Sequence, residues 1–229
     1  MSNLWEIEVG KLKQRINNLL NEKHLFNRRN RMSQAKTLNE KELNLLLLYI
    51  KTRKYGYRDR VMVLMTYWAG MRIGEVAATK IKDVLGADGK IVEELRLTAE
   101  QTKGKYARTV VLSDKLRKEI ADYLKTRFNT NELIGLSYSK STNKPLFETQ
   151  KREGFNNNTA CYHFHMLYKQ AGLYGCSSHS GRRTFLTSLS SKSVPLRVLM
   201  ELAGHRQAQT TMRYIDVTQD MKRAAVSLL

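Results

Sequence analysis

Apolar side chains recur every three or four residues over much of the chain, which is the spacing of amphipathic helices. Residues 3–23 carry this pattern and predict a first helix. A second helix is predicted to begin near Asn39, because Asn39 can cap it and Glu42 can complete a capping box three residues later. Apolar residues between 61 and 68 predict a third helix, which Gly70 ends or bends.

The pattern changes in the middle of the chain. Residues 73–80 predict a short helix, and apolar and β-branched residues at 95–97 and 109–112 then predict two strands. The segment between the strands, 101–106, is a polar hairpin tip with a glycine. Helical spacing returns at 113–128, 157–171, 179–191, 194–204 and 207–216. The predicted fold class is therefore mainly α with a small antiparallel β-sheet, an α+β arrangement.

Composition narrows the class of protein. The 229 residues include 40 Lys and Arg against 21 Asp and Glu, a formal net charge of +19. A folded chain this basic suggests a polyanionic partner, with nucleic acid ahead of a ribosome or a membrane surface. No apolar run is long enough to span a bilayer, and the N-terminus lacks the pattern of a secretory signal. Two cysteines cannot form a disulfide framework, so we expect a cytoplasmic protein.

Basic side chains are concentrated in two segments. Residues 24–36 have little apolar periodicity and fit either a solvated linker or an arm that lies on phosphates. Residues 51–60 fit either a solvated face or a face that contacts phosphates. The candidate DNA-contacting residues are Arg28, Arg29, Arg31, Arg53, Lys54, Arg58, Lys80 and Lys105.

Three side chains have the chemistry of metal ligands, namely Cys161, His163 and His165. They alternate with Tyr162 and Phe164, and no second Cys/His pair accompanies them as a zinc site requires. We therefore predict no metal site.

The C-terminal third contains residues suited to one particular chemistry. His179 and Arg182 are three positions apart and share a face of a helical turn, and His205 precedes Tyr214 by nine positions. Upstream, Arg72 lies at a helix junction between glycines. Arginines bind phosphate oxygens with paired donors, and a lysine or histidine can protonate a leaving oxygen. With no carboxylate pair or metal cluster, this set suits transfer of a phosphoryl group to the tyrosine.

These motifs resemble the tyrosine recombinase, or phage integrase, family over about residues 37–220. The matching pieces are G-x-R-x-x-E from Gly70 to Glu75, the hairpin at 102–108 with its lysine, H-x-x-R from His179 to Arg182, Gly204-His205, and Tyr214. Each piece is weak alone, but their order and spacing together are specific. The resemblance implies the catalytic-domain fold of that family.

The resemblance also implies a role for each matched residue. Arg72 and Arg182 would clamp the scissile phosphate. Tyr214 would attack it, which forms a 3′-phosphotyrosyl bond and frees a 5′-hydroxyl. Lys103 would protonate the leaving 5′ oxygen. Lys105 lies two residues away on the same hairpin and is the alternative, with Lys103 favoured.

The remaining matched residues would assist. His179 would help transfer the proton of Tyr214, His205 would hydrogen-bond the phosphate, and Glu75 would orient Arg72 or His179 from behind. Since the covalent link conserves the energy of the phosphodiester bond, strand exchange should need neither ATP nor a metal. We therefore predict no cofactor.

The resemblance is limited at the N-terminus. Many family members carry a separate helical DNA-binding domain before the catalytic one, whereas here only an N-terminal helix and basic arm, residues 1–36, precede it. We expect a catalytic domain at 37–229 with a C-terminal tail from about 217. The tail either docks on a neighbouring protomer or packs on its own subunit. The chain thus resembles a short member of the family or part of a longer protein.

The leading prediction is a site-specific DNA recombinase that acts in DNA integration, excision or a related strand exchange, for example of a mobile genetic element. It would work in the cytoplasm on double-stranded DNA of the nucleoid, as a dimer or tetramer, alone or with a partner recombinase. One alternative is an accessory DNA-binding factor on the same fold. Another is an enzyme similar to type IB topoisomerases, which nicks and relaxes DNA.

Overall fold

The chain folds into helices joined by short loops, with one two-stranded sheet among them. A computed structural model describes residues 35–102, 104–138, 143–150, 154–215, 217 and 219–227. In chain order the elements are α1 (Glu40–Lys51), α2 (Gly56–Trp68), α3 (Ile73–Ala78), α4 (Ile81–Val84), β1 (Glu94–Leu97), β2 (Arg108–Val111), α5 (Asp114–Arg127), α6 (Thr130–Tyr138), α7 (Asn157–Gln170), α8 (Ser180–Ser191), α9 (Leu196–Ala203), α10 (Ala208–Met212) and α11 (Gln219–Val226). The mainly helical α+β fold class is confirmed.

The capping box predicted for α1 is present. The Asn39 side chain accepts the Glu42 N–H at 2.9 Å, and the Glu42 carboxylate accepts the Asn39 N–H at 3.2 Å. These two bonds satisfy donors that the first turn of a helix otherwise leaves without partners. The cap therefore determines where the described chain turns into its first helix.

Helix α2 is the centre of the hydrophobic core. Five consecutive side chains, from Val61 to Met65, are at most 1% exposed, so this helix is surrounded by other elements over that stretch. It packs against α8, α5 and α1. A helix that is apolar all round is the kind that occupies the interior of a domain.

The two strands form an antiparallel hairpin. Glu94 pairs with Val111 and Leu97 pairs with Arg108, and Leu95 and Leu97 face the core. This register places Arg108 at the end of β2 that adjoins the hairpin tip. The strand prediction is confirmed, with a shift of one residue at each strand start.

Several predicted element boundaries differ from the structure. Helix α2 begins at Gly56 instead of 61, so the basic residues before Val61 belong to it. The predicted 207–216 helix is shorter and ends at Met212. Helix α6 was not predicted, although Asn129 and Glu132 form a capping box at its start, because the segment is short and Gly135 interrupts its apolar positions. The predicted helix at 3–23 lies outside the described residues.

Over the part of the chain that the structure describes, every helix is too short or too polar to cross a lipid bilayer.

Helices α2 and α8 approach each other unusually closely. A Cβ atom on Gly181 of α8 would lie 2.1 Å from the Thr66 Oγ1 atom of α2 and 2.9 Å from its Cβ atom. Such distances are well below van der Waals contact, so only glycine fits between the two helices. This contact fixes the position of the first turn of α8, which also carries the neighbouring Arg182.

We predict that Gly181→Ala destabilises the protein by about 1–3 kcal/mol, because the added methyl group forces α8 away from α2. Gly135→Ala in α6 is the matched control, since a Cβ atom there meets nothing within 4 Å. Alanine should stabilise that exposed helical position by about 0.5–1 kcal/mol. Urea denaturation followed by circular dichroism measures both. Equal stability of Gly181→Ala and the wild type would contradict the packing described here.

Candidate active site

Arg72 stands at the start of α3, immediately after a tight turn. Gly70 adopts a left-handed φ of +61°, which lets the chain leave α2 and begin α3 three residues later, at Ile73. The Arg72 guanidinium donates from Nη1 to Glu75 Oε1 at 2.9 Å, and its main-chain N–H donates to Oε2 at 2.8 Å. The side chain is 26% exposed, so it is oriented by Glu75 and still faces solvent.

Glu75 is a buried carboxylate shared by two arginines. In addition to Arg72 it accepts two bonds from Arg108, from Nε at 3.1 Å and from Nη2 at 2.7 Å. Burial alone would raise the pKa of Glu75, but the hydrogen bonds and charges of Arg108 and Arg72 outweigh burial and hold that pKa below its ordinary value. The carboxylate is thus ionised and fully engaged.

Arg182 is almost completely buried, at 1% exposure, in the first turn of α8. Its Nη1 donates to the Gly70 carbonyl at 2.6 Å and its Nη2 to the Ala203 carbonyl at 2.7 Å. Among the described residues, its buried Nε has no acceptor. Burial, and then repulsion by Arg72, lower the pKa of Arg182. The buried Arg182 cation therefore lies in surroundings with too little negative charge to balance it.

His205 lies between Arg182 and α10. Its Nε2 is 2.7 Å from Arg182 Nη2, and its Nδ1 is 2.9 Å from the buried Thr211 Oγ1. Because an arginine can only donate, Nε2 is the acceptor and the ring proton sits on Nδ1, where it is donated to Thr211. Burial, followed by the charges of Arg182, Arg72 and Arg108, lowers the pKa of His205 to about 3. The imidazole is neutral at physiological pH.

Tyr214 follows α10 and is half-buried against the same group. Its ring centroid is 5.5 Å from that of His205 and 5.8 Å from the Arg182 Cζ atom. Its main-chain carbonyl accepts a hydrogen bond from Thr187 Oγ1 of α8 at 2.7 Å. The tyrosine is thus held beside the arginine and histidine of its own chain.

A cleft of about 360 Å³ joins these residues to the hairpin. Arg72, Arg108 and His205 line it, together with Thr102 and Tyr106 from the hairpin. The Arg206 guanidinium carbon lies 3.4 Å from the centroid of the Tyr106 ring, which connects the hairpin tip to the loop after α9. The structure therefore brings Arg72, Arg182, His205 and Tyr214 together, with Glu75 behind Arg72.

The other predicted site residues have less central positions. His179 precedes α8 and is exposed, and it borders a second depression of about 480 Å³ that it shares with Arg72. Lys103 lies outside the described residues. Lys105 is exposed on the hairpin tip in a left-handed conformation with φ of +52°. The structure therefore leaves the choice between Lys103 and Lys105 where the sequence left it.

The candidate DNA-contacting residues separate into groups. Arg58 is buried, donates to Asp59 and to the Glu148 carbonyl, and stacks on two aromatic rings, so it stabilises the fold and is not a free phosphate contact. Arg53 also donates to Asp59, at 3.0 Å, whereas Lys54 is exposed. Lys80 is partly exposed and reaches Asn143. The residues of this set outside the described part are Arg28, Arg29 and Arg31.

His163, one of the three potential metal ligands on α7, makes a different contact. His163 Nε2 is 2.9 Å from the buried Asp59 carboxylate, which places this histidine in the same polar network as Arg53 and Arg58. Within the described ranges, no group of three or more Cys, His, Asp or Glu side chains is arranged to hold a metal ion.

Sequence reasoning missed two residues of the site, Arg108 and Thr211. Arg108 is an arginine in a strand, and nothing in the local pattern shows that it reaches Glu75, 33 positions earlier. Thr211 follows His205 by six positions, and its role depends on the turn between α9 and α10.

Comparisons with known proteins agree with this geometry. The model of the phage integrase family matches residues 36–221. Tyrosine recombinase XerA of Pyrococcus horikoshii is 30% identical over 172 residues, which are 74% of this chain and 54% of that protein. A crystal structure of XerA recombinase superposes with a TM-score of 0.65 at 23% identity, covering 88% of this chain and 66% of that one.

A second solved structure is the Tn1549 transposon integrase, residues 82–397 with the substitution Y379F, in complex with transposon right end DNA. It superposes with a TM-score of 0.62 at 18% identity and covers 86% of this chain and 67% of that one. At these identities the structural likenesses show the shared fold. The chain spans 54% to 62% of the length of the first curated relatives that it matches.

We predict that His205 makes stability sensitive to mild acid. Its folded-state pKa of about 3 lies below its ordinary value of 6.5. Between these two pH values the unfolded chain therefore binds a proton at His205 that the folded chain does not bind. The stability advantage of the wild type over His205→Gln should be largest above about pH 6.5 and should shrink as the pH falls toward 3. Urea denaturation of both proteins at pH 7.5 and pH 5 measures it. A stability advantage of the wild type that is larger at pH 5 than at pH 7.5 would contradict the prediction, because it would show that the folded state favours protonated His205.

Proposed function

This chain belongs to the phage integrase family, and we propose that it is a site-specific DNA recombinase that cleaves and rejoins strands through a 3′-phosphotyrosyl intermediate. The observation that carries the proposal is the convergence of Arg182 and His205 beside the Tyr214 ring of the same chain, with Arg72 lining the same cleft as His205. The family relationship supports the same activity.

The electrostatics of the site favour a phosphate. Arg182 is buried without an ion-pairing carboxylate among the described residues, and Arg72 repels it. The nearby carboxylate, Glu75, is already engaged by two arginines. A phosphodiester would supply the missing negative charge and acceptors for the guanidinium groups. A cluster of this kind also stabilises the charge that develops on a phosphoryl group during its transfer.

In the proposed reaction the Tyr214 hydroxyl attacks phosphorus, the bond from phosphorus to the 5′ oxygen breaks, and a 3′-phosphotyrosyl bond forms. Arg72 and Arg182 hold the non-bridging oxygens. Lys103 gives a proton to the leaving 5′ oxygen, and His179 helps to remove the proton of Tyr214. The 5′-hydroxyl of another strand then reverses these steps. The number of phosphodiester bonds is conserved, so no external energy source enters the balance.

Double-stranded DNA is the proposed substrate. The net charge of +19 favours a polyanion, and a structurally similar protein, the Tn1549 integrase, was crystallised with transposon DNA. The proposed backbone contacts are the exposed Lys54 before α2, the exposed Lys105 on the hairpin tip, and the basic segment 28–36. We place the protein in the cytoplasm, at the nucleoid, where such DNA lies.

We further propose that two or four copies assemble on DNA, with assembly beside a partner recombinase as the alternative. Helix α11 supports this arrangement, because its residues are mostly exposed, up to 70% at Val226. Its docking on a neighbouring protomer would bury those side chains. In this scheme residues 37–229 form the catalytic domain, and residues 1–36 form an arm that follows the DNA.

We predict that Tyr214→Phe abolishes covalent attachment to DNA and leaves binding intact, because it removes the nucleophile alone. The probe is a duplex library with randomised sequence around a nick, incubated in EDTA, so that cleavage releases a short fragment and traps the adduct. The expected wild-type product resists SDS and is removed by protease, and a gel-shift assay measures binding. A wild type that binds DNA without forming an adduct would favour the accessory-factor alternative. Relaxation of plasmids lacking any selected site would favour the topoisomerase-like one.

We also predict that Lys103→Ala slows adduct formation by about 100-fold or more, the usual effect of losing a general acid. Lys105→Ala on the same hairpin is the matched control and should slow the step only a few-fold. Single-turnover rates on the nicked duplex selected above measure both. The opposite order of effects would assign the general acid to Lys105.

A further inference from the structure

The Arg108 side chain, for which the sequence predicted no role, makes hydrogen bonds to two other elements of the fold. It is the first residue of β2, and its side chain is 9% exposed. Its Nε and Nη2 bind the two oxygens of Glu75 at 3.1 and 2.7 Å, a bidentate pair. Its Nη1 donates to the Leu202 carbonyl at 3.0 Å. One guanidinium thus connects the hairpin, α3 and the C-terminal end of α9.

Each end of this connection leads to a residue of the proposed phosphate site. Glu75 holds Arg72 through two further hydrogen bonds. Leu202 lies three residues before His205, which contacts Arg182. Any shift of the Arg108 guanidinium would therefore be transmitted to Arg72 on one side and to the His205 loop on the other.

The approach of Arg108 to that loop is too close for any residue but glycine. Gly204 has a left-handed φ of +62°, and a Cβ atom on it would lie 2.5 Å from Arg108 Cδ and 3.2 Å from Arg108 Nε. The Arg108 side chain therefore packs directly against the Gly204 main chain. The position of His205, the next residue, depends on this contact as well as on the hydrogen bond to Leu202.

We infer that Arg108 is a positioning residue of the recombinase reaction, which aligns Arg72 and His205 with each other across the phosphate cleft. The inference rests on the function proposed above. Arg108 lines the cleft, and its Nε, Nη1 and Nη2 each donate to Glu75 or to the Leu202 carbonyl, so its proposed role is to hold these neighbours in place. Its effect is on geometry, which the charge alone does not supply.

Arg108→Lys separates geometry from charge, because lysine keeps the positive charge but cannot bind both Glu75 oxygens and the Leu202 carbonyl in one plane. Arg117→Lys is the matched control. Arg117 also connects a main-chain carbonyl, that of Ile91, with the carboxylates of Glu93 and Asp114, but it lies on α5 outside the site. Both substitutions remove a planar bridge from the same fold.

The experiment measures the single-turnover rate of adduct formation at saturating nicked duplex, the Kd for the same duplex, and the thermal unfolding midpoint. Arg108→Lys should lower the rate by about 10- to 100-fold, as expected when reacting groups are misplaced by about 1 Å, with little change in Kd. Arg117→Lys should keep the wild-type rate. The double variant with Glu75→Gln should lose little more than the slower single variant, because both act through one contact.

Three results would overturn the inference. The first is a wild-type rate for Arg108→Lys. The second is an equal loss of rate in Arg117→Lys at a matched unfolding midpoint, since that would make the effect one of general stability. The third is a set of losses that multiply in the double variant. A wild type that forms no adduct would instead refute the proposed function, and the inference would fall with it.

Discussion

The burial of the Arg182 guanidinium is the constraint on which the arrangement of the site depends. A buried charge without a partner is very costly, so its donors must find acceptors inside the protein. Arg182 finds them in the carbonyls of Gly70 and Ala203, which belong to parts of the chain far apart in sequence. The turn before α3 and the end of α9 must therefore both lie within reach of one side chain. Glycines with left-handed conformations, Gly70 and Gly204, allow the main chain to do this.

The balance of charge follows from the same constraint. Glu75 is the carboxylate of the site, and two arginines share it, so the described cluster keeps an excess of positive charge. Burial first, and then that excess of positive charge, lower the pKa values of Arg182 and His205. The excess therefore opposes further cations and favours an anion. The fold tolerates this repulsion because the hydrogen-bonded frame of carbonyls and Glu75 prevents the arginines from moving apart. A binding site for a negatively charged ligand of this kind is stabilised by its ligand.

Periodicity and capping signals were sufficient for most of the fold. The helices that carry strong apolar spacing, such as α5, α7 and α8, begin and end within one or two residues of their predicted limits, because burial of one face of each helix determines its extent. Helix α6 was missed, since it is short and Gly135 interrupts its apolar positions. For the site, order and spacing of motifs predicted the grouping of Arg72, Arg182, His205 and Tyr214. Arg108 could not be predicted, because its partners lie on α3 and α9 and are brought to it only by the tertiary fold.

The hydrogen bond between Arg182 and His205 has a consequence for how a ligand enters. In the free protein an N–H of Arg182 Nη2 donates to the lone pair of His205 Nε2, so this donor and this acceptor are paired. A phosphate oxygen that takes this N–H must displace the imidazole, and His205 can then donate only after its proton has moved to Nε2. At this N–H, entry is therefore an exchange of one acceptor for another, and the gain is the difference between two hydrogen bonds. The Arg182 Nε, which has no acceptor among the described residues, offers a donor for which a phosphate oxygen displaces nothing.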